Sequence, residues 1–263
     1  MPPLLCIANW KANLTPEAET VLARTIQGIM QQSPADNVEI VLTPTFVSLY
    51  EIGYEIDHPI VLAGQDCYWE EVGAATGEVS PVALAHLGCK YVLIGHSERR
   101  IIFAETNEMV AKKYAVLLKT QKKLGLVPIV CVGETLMERK NGKTREILEV
   151  QLSALMKAMP FNKNFQIVIA YEPVWAISTN QHGARKNCDP SDCKEAIGMI
   201  KDILHTHSIN AVNAIPLVYG GSVDEHNASS YITQGDVSGV LVGSASLHAK
   251  RFCAIVHSLN TSI

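Results

Sequence analysis

VPIVCVGE, residues 127–134, is a nearly continuous apolar run that ends in a glycine and a carboxylate. A strand with one solvent-facing side alternates apolar and polar residues. A parallel strand that is covered on both faces instead consists almost entirely of residues such as Val, Ile and Leu. The run therefore predicts a parallel strand buried on both faces, as found in α/β proteins.

Seven further runs of this kind lie along the chain: LLCIANW from Leu4, VEIVLTP from Val38, IVLAGQ from Ile60, YVLIGH from Tyr91, QIVIAYEP from Gln166, IPLVYGG from Ile215 and GVLVGS from Gly239. Helical stretches separate them. Three of these stretches have clear start signals, in which a capping Thr15, Thr106 or Asp189 precedes a Pro or an acidic first turn. Strands and helices therefore alternate, and no Pro/Gly/Ser linker or charge run interrupts the alternation.

Eight βα units in 263 residues predict an α/β fold, a single (β/α)8 barrel with parallel strands. We expect residues 1–263 to form this one domain. The alternative, an open doubly wound sheet, would carry a glycine-rich turn after its first strand. Here Ala8 is followed by Asn9-Trp10-Lys11, which favours the barrel.

Net charge, the first residues and the cysteine count limit the classes of partner and site that the sequence predicts. A formal net charge of -4 gives no electrostatic reason to expect nucleic acid or an anionic membrane. The start, MPPLLCIANWK, has no basic n-region and too short an apolar run for a secretory signal, so we predict a cytoplasmic protein. Seven cysteines without a C-x-x-C pair indicate neither a disulfide framework nor a metal site.

Ionisable residues close three of the predicted strands. Lys11 follows the first strand, His96 the fourth and Glu172 the sixth. In a (β/α)8 barrel the carboxyl ends of all strands meet at one rim, so these side chains are expected at one mouth. Each alone has an ordinary interpretation, as a solvated lysine, a capping histidine or a solvated carboxylate. Their joint placement favours a catalytic site.

Small residues close the last two strands, as Gly220-Gly221-Ser222 and Gly243-Ser244. Such turns let backbone N–H groups approach an anion, and (β/α)8 barrels often bind phosphate there. Alone the two turns are weak signals. Together with Lys11 they predict a small phosphorylated substrate.

Four motifs in this order, NWK, GHSERR, AYEPVWAI and YGGSV, resemble the triosephosphate isomerase family. The resemblance extends from Ala8 to about Leu247. It implies the interconversion of dihydroxyacetone phosphate and D-glyceraldehyde 3-phosphate by proton transfer through an enediolate, in glycolysis and gluconeogenesis. It also implies that no cofactor and no metal is needed.

The resemblance assigns roles to the residues at the rim. Glu172 is expected to be the base and His96 a neutral electrophile, because the N-terminus of the short helix after it disfavours the imidazolium. Lys11 would balance the charge of phosphate and enediolate, and Asn9 would donate a further hydrogen bond. Two residues are expected behind them: Glu98 to orient Lys11, and Cys131 to pack near the base, where a simple core role is equally compatible.

The expected phosphate contacts are made by Ser178, Ser222, Gly243 and Ser244. Two positions depart from the family pattern: Ser178 and Asn180 stand where the lid over the site normally reads Gly-Thr-Gly, and Ser244 replaces a glycine. Serine keeps the backbone N–H, so binding is expected to survive. The lid is also longer before Pro190, which costs little closure entropy.

The loop of residues 66–80, from Asp66 to Ser80, resembles the family loop that reaches into a partner subunit, so we predict a homodimer. A loop folded back on its own barrel is the alternative. Two other functions stay open at this point: an isomerase of another small sugar phosphate, and an inactive barrel that serves as a binding module.

Overall fold

A computed structural model describes residues 2–160, 164–177, 188–207 and 214–262. Its centre is a closed barrel of eight parallel strands in sequence order, in which the last strand pairs with the first. The strands are β1 (Leu4–Asn9), β2 (Val38–Thr43), β3 (Ile60–Gly64), β4 (Cys89–Ile94), β5 (Val127–Val132), β6 (Val168–Tyr171), β7 (Leu217–Tyr219) and β8 (Gly239–Val242). The predicted (β/α)8 barrel is confirmed; the assignment of residues 1–263 to one domain stays a prediction.

Helices surround the barrel. In the part of the chain that the structure describes they are α1 (Pro16–Gln32), α2 (Leu49–Ile52), α3 (Pro81–His86), α4 (Ser97–Ile102), α5 (Asn107–Leu124), α6 (Leu136–Lys140), α7 (Thr144–Ala158), α8 (Pro190–Thr206), α9 (Ala228–Gly235) and α10 (Ala249–Asn260). Thr15, Thr106 and Asp189 occupy N-cap positions, as predicted. None of the described helices has the length and apolar character needed to cross a membrane.

Strand β5 illustrates why the apolar runs are unbroken. Ile129 and Cys131 point into the barrel and pack with residues of the other strands there. Val130 and Val132 point outward, into the apolar layer beneath the helices. Because successive side chains of a strand face opposite sides, both faces of β5 are buried, which requires apolar residues at every position.

The parallel arrangement places every strand's carboxyl end at the same rim of the barrel. Loops that follow the strands form this rim, whereas the helices form the outer wall. Residues just beyond the strand ends are therefore brought together even when they are far apart in sequence.

Candidate active site

A cleft opens at the carboxyl ends of β1, β4, β6, β7 and β8. It is lined by Asn9, Lys11, His96, Glu172, Ile177, Gly220, Gly221, Val223, Leu241, Gly243 and Ser244. A larger groove lies on the outer wall between α5 and α7, and none of the predicted site residues lines it. The structure thus brings the three ionisable residues predicted from the strand ends into one cleft.

Hydrogen bonds hold both the backbone and the side chain of Lys11. Its backbone adopts a left-handed angle, φ 54°, which is costly for a residue other than glycine. The Lys11 N–H donates to Oδ1 of Asn9 (3.1 Å), and Nε2 of Gln65 donates to the Lys11 carbonyl oxygen (2.8 Å). The ammonium group donates to Oε1 of Glu98 (2.7 Å). Backbone and side chain of Lys11 are therefore both fixed at the mouth.

His96 is the N-cap residue of α4 and is almost completely buried. The backbone N–H of Glu98 donates to Nδ1 of His96 at 3.2 Å. Because an N–H group can only donate, Nδ1 is the acceptor, and the proton of a neutral ring must lie on Nε2. That nitrogen is 3.1 Å from Oε1 of Glu172. The ring thus presents an N–H group to the cleft.

Glu172 lies just beyond β6, and its side chain is only 3% exposed. One carboxylate oxygen accepts from the backbone N–H of Ser97 (3.1 Å), and the other faces the His96 ring. The neighbouring backbone is packed too closely for larger residues: a Cβ at Gly133 would overlap the Glu172 carbonyl oxygen, and one at Gly220 would lie 2.8 Å from Cγ of Glu172. These two glycines leave the room that Glu172 occupies.

Cys131 lies beside Glu172 and is buried. Burial raises the pKa of the Cys131 thiol well above its usual value, and the nearby Glu172 carboxylate raises it further. The thiol therefore stays protonated. Both sequence interpretations, packing near the base and a small core residue, fit this position.

The predicted phosphate residues are only partly brought together. Gly243 and Ser244 line the cleft, at the carboxyl end of β8. Ser222 lies one residue beyond the lining residue Gly221, and its carbonyl oxygen accepts from Nδ2 of Asn227 (3.2 Å). Ser178 and the altered part of the lid lie outside the described residues.

Three apolar residues of the cleft wall, Ile177, Val223 and Leu241, were not among the residues that we singled out from sequence. Ile177 and Val223 lie beyond the ends of β6 and β7, and Leu241 lies within β8. In the sequence such apolar residues are indistinguishable from core residues. No sequence signal separates the two cases, because only the closed barrel shows that these side chains border the cleft.

Another residue without a predicted role is Glu134, which is fully buried behind the turn Val174–Ala176. Its Oε1 accepts from Nε1 of Trp175 (2.9 Å), and both of its oxygens lie 3.2 Å from the Tyr171 hydroxyl. Burial raises the pKa of Glu134, and the hydrogen bond from Trp175 is the largest opposing effect. Glu134 therefore anchors the segment that leads from Glu172 into the lid.

The arrangement combines a carboxylate that can accept a proton, a ring N–H donor and an ammonium group. Within residues 2–160, 164–177, 188–207 and 214–262, no cluster of three or more His, Cys, Asp or Glu residues could hold a metal ion. The side chains of Glu172 and His96 suffice for proton transfer next to a carbonyl group, because that reaction needs a base and an electrophile.

Comparisons with known proteins agree with this chemistry. The model of the family described as triosephosphate isomerase matches residues 4–259. The triosephosphate isomerase of Thermoanaerobacter pseudethanolicus is 40% identical over 95% of this chain and 96% of its own. That of Caldanaerobacter subterraneus is 41% identical with the same coverage, and that of Dehalococcoides mccartyi is 38% identical over 97% of this chain and 96% of its own. The chain therefore belongs to the triosephosphate isomerase family.

Proposed function

We propose that this chain is a triosephosphate isomerase, which interconverts dihydroxyacetone phosphate and D-glyceraldehyde 3-phosphate in glycolysis and gluconeogenesis. The observation that carries the proposal is the Glu172 carboxylate 3.1 Å from Nε2 of His96, in a cleft shared with Lys11, in a chain of this family. The relatives named above bear the same activity in their names. The reaction needs no cofactor and no metal.

In this proposal Glu172 removes a proton from one carbon of the substrate and returns it to the neighbouring carbon, while the hydroxyl proton passes from one substrate oxygen to the other, so that the carbonyl and hydroxyl groups exchange places. A positioned base of this kind contributes roughly 10²–10⁴-fold to the rate. The Nε2–H group of His96 donates to the substrate oxygen on which negative charge develops, giving the enediolate. Donors of this kind are worth roughly 10²–10³-fold.

The contact between His96 and Glu172 must open before the reaction can begin. The Nε2–H of His96 faces Oε1 of Glu172 at 3.1 Å. One N–H cannot fully serve the carboxylate and the substrate oxygen together. The Glu172 side chain therefore moves away from the ring and over the substrate carbons when the substrate binds, and His96 is released to the substrate oxygen.

Binding of the phosphorylated end is assigned to the opposite side of the cleft. Lys11 supplies the positive charge, and Asn9 adds a hydrogen bond. Backbone N–H groups at Ser178, Ser222, Gly243 and Ser244 hold the phosphate. Glu98 keeps the Lys11 ammonium oriented through its 2.7 Å contact, and Cys131 fills the space behind the base.

The assembly we propose is a homodimer that acts in the cytoplasm, joined through residues 66–80. Supporting this, the apolar side chain of Val72, within the loop, is 68% exposed in the single chain. A partner subunit that covered the loop would remove this side chain from water. In this proposal the chain binds neither nucleic acid nor a membrane.

A coupled assay of the purified chain with a panel of ketose and aldose phosphates of three to six carbons tests the proposed activity. We expect the triose phosphates to give the highest kcat/KM by at least about 10²-fold, because the cleft is small and the phosphate is fixed at one end. A higher kcat/KM with a longer sugar phosphate would favour the alternative isomerase. No turnover of any substrate would favour the inactive barrel.

A further inference from the structure

Arg100, on α4, folds its guanidinium back beneath the rim of the barrel. Nε donates to the carbonyl oxygen of Gly95 at 2.7 Å, and Nη1 donates to Oδ1 of Asn107 at 2.7 Å. Nη2 lies 3.4 Å from the carbonyl oxygen of Cys131. One side chain thus joins the end of β4, the end of β5 and the start of α5. The fork shape of the guanidinium makes such a three-way contact possible, and a lysine ammonium lacks that shape.

These contacts form part of a ring of bonds around the proposed base. Gly95 precedes His96 and Ser97, which both contact the Glu172 carboxylate (3.1 Å each). The Glu172 backbone N–H in turn donates to the carbonyl oxygen of Val132, the residue after Cys131 (2.8 Å). Arg100 completes this closed set of contacts, because it binds the carbonyl oxygen of Gly95, after β4, and that of Cys131, in β5.

The turn at Gly95 is adapted to this side chain. Gly95 has φ 69°, in the left-handed region that favours glycine, and a Cβ there would lie 2.9 Å from Nη2 of Arg100. Arg100, Cys131, Glu172 and Ser97 also border one small cavity behind the base. Burial lowers the pKa of Arg100, and the carboxylates of Glu105 and Glu172 oppose that shift. An arginine stays charged through such shifts, so its positive charge lies close to the base.

We propose that Arg100 is a positioning residue for the isomerase reaction: its guanidinium locks the ends of β4 and β5 together and so sets the distance from Glu172 to His96 and Ser97. The inference rests on the proposed function. Arg100 borders the cavity behind Glu172 and not the cleft in front of it, so its effect is expected on the chemical step and not on substrate binding.

Steady-state kinetics of Arg100→Met and Arg100→Lys test the proposal. Arg100→Met removes the donors and the charge while it keeps an unbranched stem. A displacement of the base by about 1 Å can cost about 10²-fold, so we expect kcat to fall by 30-fold to 300-fold, on the order of that effect. Arg100→Lys keeps the charge and recovers part of the loss, to about 10-fold below wild type. KM and the inhibition constant of inorganic phosphate stay within about threefold, because the phosphate side is untouched.

Arg99→Lys is the matched control. Arg99 is the adjacent residue of α4, but its side chain pairs with Asp66 (2.6 Å) and lines neither the cleft nor the cavity that Glu172 borders. We expect its kcat within about threefold of wild type, because the contacts of the base are unchanged. Should Arg100→Met fail to fold, Asn107→Ala removes one anchor of the guanidinium from outside and is expected to lower kcat by about threefold to tenfold at unchanged KM.

The kinetics of the wild type and of the variants test the positioning role of Arg100 separately from the proposed function. An Arg100→Met kcat within threefold of wild type would overturn the inference, as would a parallel loss of kcat and of phosphate affinity, which indicates general disorder. Where Arg100→Met does not fold, an Asn107→Ala kcat equal to that of wild type overturns it. A wild-type chain without isomerase activity would overturn the proposed function together with the inference. If the wild type is active and the kcat values of the Arg100 and Asn107 variants are unchanged, the positioning role of Arg100 is overturned while the proposed function stands.

Discussion

Lys11 has a backbone conformation that costs a non-glycine residue of order 1–3 kcal/mol, and its neighbours compensate for that cost. Asn9 and Gln65 satisfy its backbone N–H and carbonyl groups, and Glu98 its ammonium. Strained residues that are over-determined by their surroundings occur preferentially at functional sites. The contacts with Asn9, Gln65 and Glu98 thus fix a positive charge at the mouth of the cleft.

Lys11→Met should therefore impair binding and turnover together. A hydrogen bond to a charged group is worth roughly 1.5–3 kcal/mol, so we expect kcat/KM to fall by about 10- to 150-fold and inorganic phosphate to bind more weakly. Lys119→Met is the control, because Lys119 is exposed on α5 and belongs neither to the cleft nor to the loop 66–80. Equal kinetics of the two variants would remove Lys11 from the proposed site.

The junction after β5 leaves no room for a side chain at Gly133. Gly133→Ala places a Cβ against the Glu172 carbonyl oxygen, so the backbone of the base must shift. We expect a loss of roughly 1–3 kcal/mol in the free energy of unfolding and about 10²-fold in kcat. Denaturant titration and steady-state kinetics measure the two effects.

Gly28→Ala, within α1, is the control, because the same substitution is made where there is free space. A Cβ there has no atom within 4 Å, so the substitution only raises helix propensity, and we expect a gain of roughly 0.5–1 kcal/mol at unchanged kcat. A Gly133→Ala variant that behaves like Gly28→Ala would contradict the close packing of Glu172 described above.

The strands could be predicted from the sequence more fully than the side-chain contacts between the strand ends. Buried parallel strands consist of apolar residues at every position, and Lys11, His96 and Glu172 were predicted at one rim because parallel strands end at one edge. The contacts of Arg100 and Glu134 could not be predicted, because they depend on the distance between neighbouring strand ends. Periodicity gives the direction of a side chain and not its tertiary partner.

At the scale of the whole molecule, a buried cluster of charges ties the root of the loop 66–80 to α4 and α5. The Lys113 ammonium donates to both oxygens of Asp66 (2.8 and 2.7 Å) and pairs with Glu105, and Arg99 pairs with Asp66. Burial raises the pKa of Asp66 to about 6, although Lys113 opposes the shift. The unfolded chain should release this proton near pH 3.9.

The sign of the resulting pH effect follows from these values. A folded pKa above the unfolded one means that the stability contributed by the protonated Asp66 is complete below about pH 4 and is lost as pH rises through about 6. We expect the free energy of unfolding of wild type, minus that of Asp66→Asn, to fall by up to about 3 kcal/mol over this window. Urea titrations at a series of pH values measure it. A difference that rises with pH would show that pairing with Lys113 outweighs burial.

The proposed dimer is tested at the tip of the same loop. Thr76 is exposed in the single chain, and a long charged side chain there would hinder insertion into a partner. We expect sedimentation velocity to give twice the 28.7 kDa chain mass for wild type, and the single mass for Thr76→Arg at micromolar concentration. Thr25→Arg, on an exposed position of α1, should remain dimeric. A wild-type protein that sediments as a monomer would contradict the proposal.

The kcat of Glu172→Asp is the decisive measurement for the role of Glu172 as the base of an isomerase. The variant keeps the carboxylate but withdraws it by one methylene, so we expect kcat to fall by about 10²-fold or more at a nearly unchanged KM. Glu149→Asp makes the same change at an exposed position of α7 and should retain the wild-type rate. A Glu172→Asp kcat within about threefold of wild type would show that Glu172 is not the base.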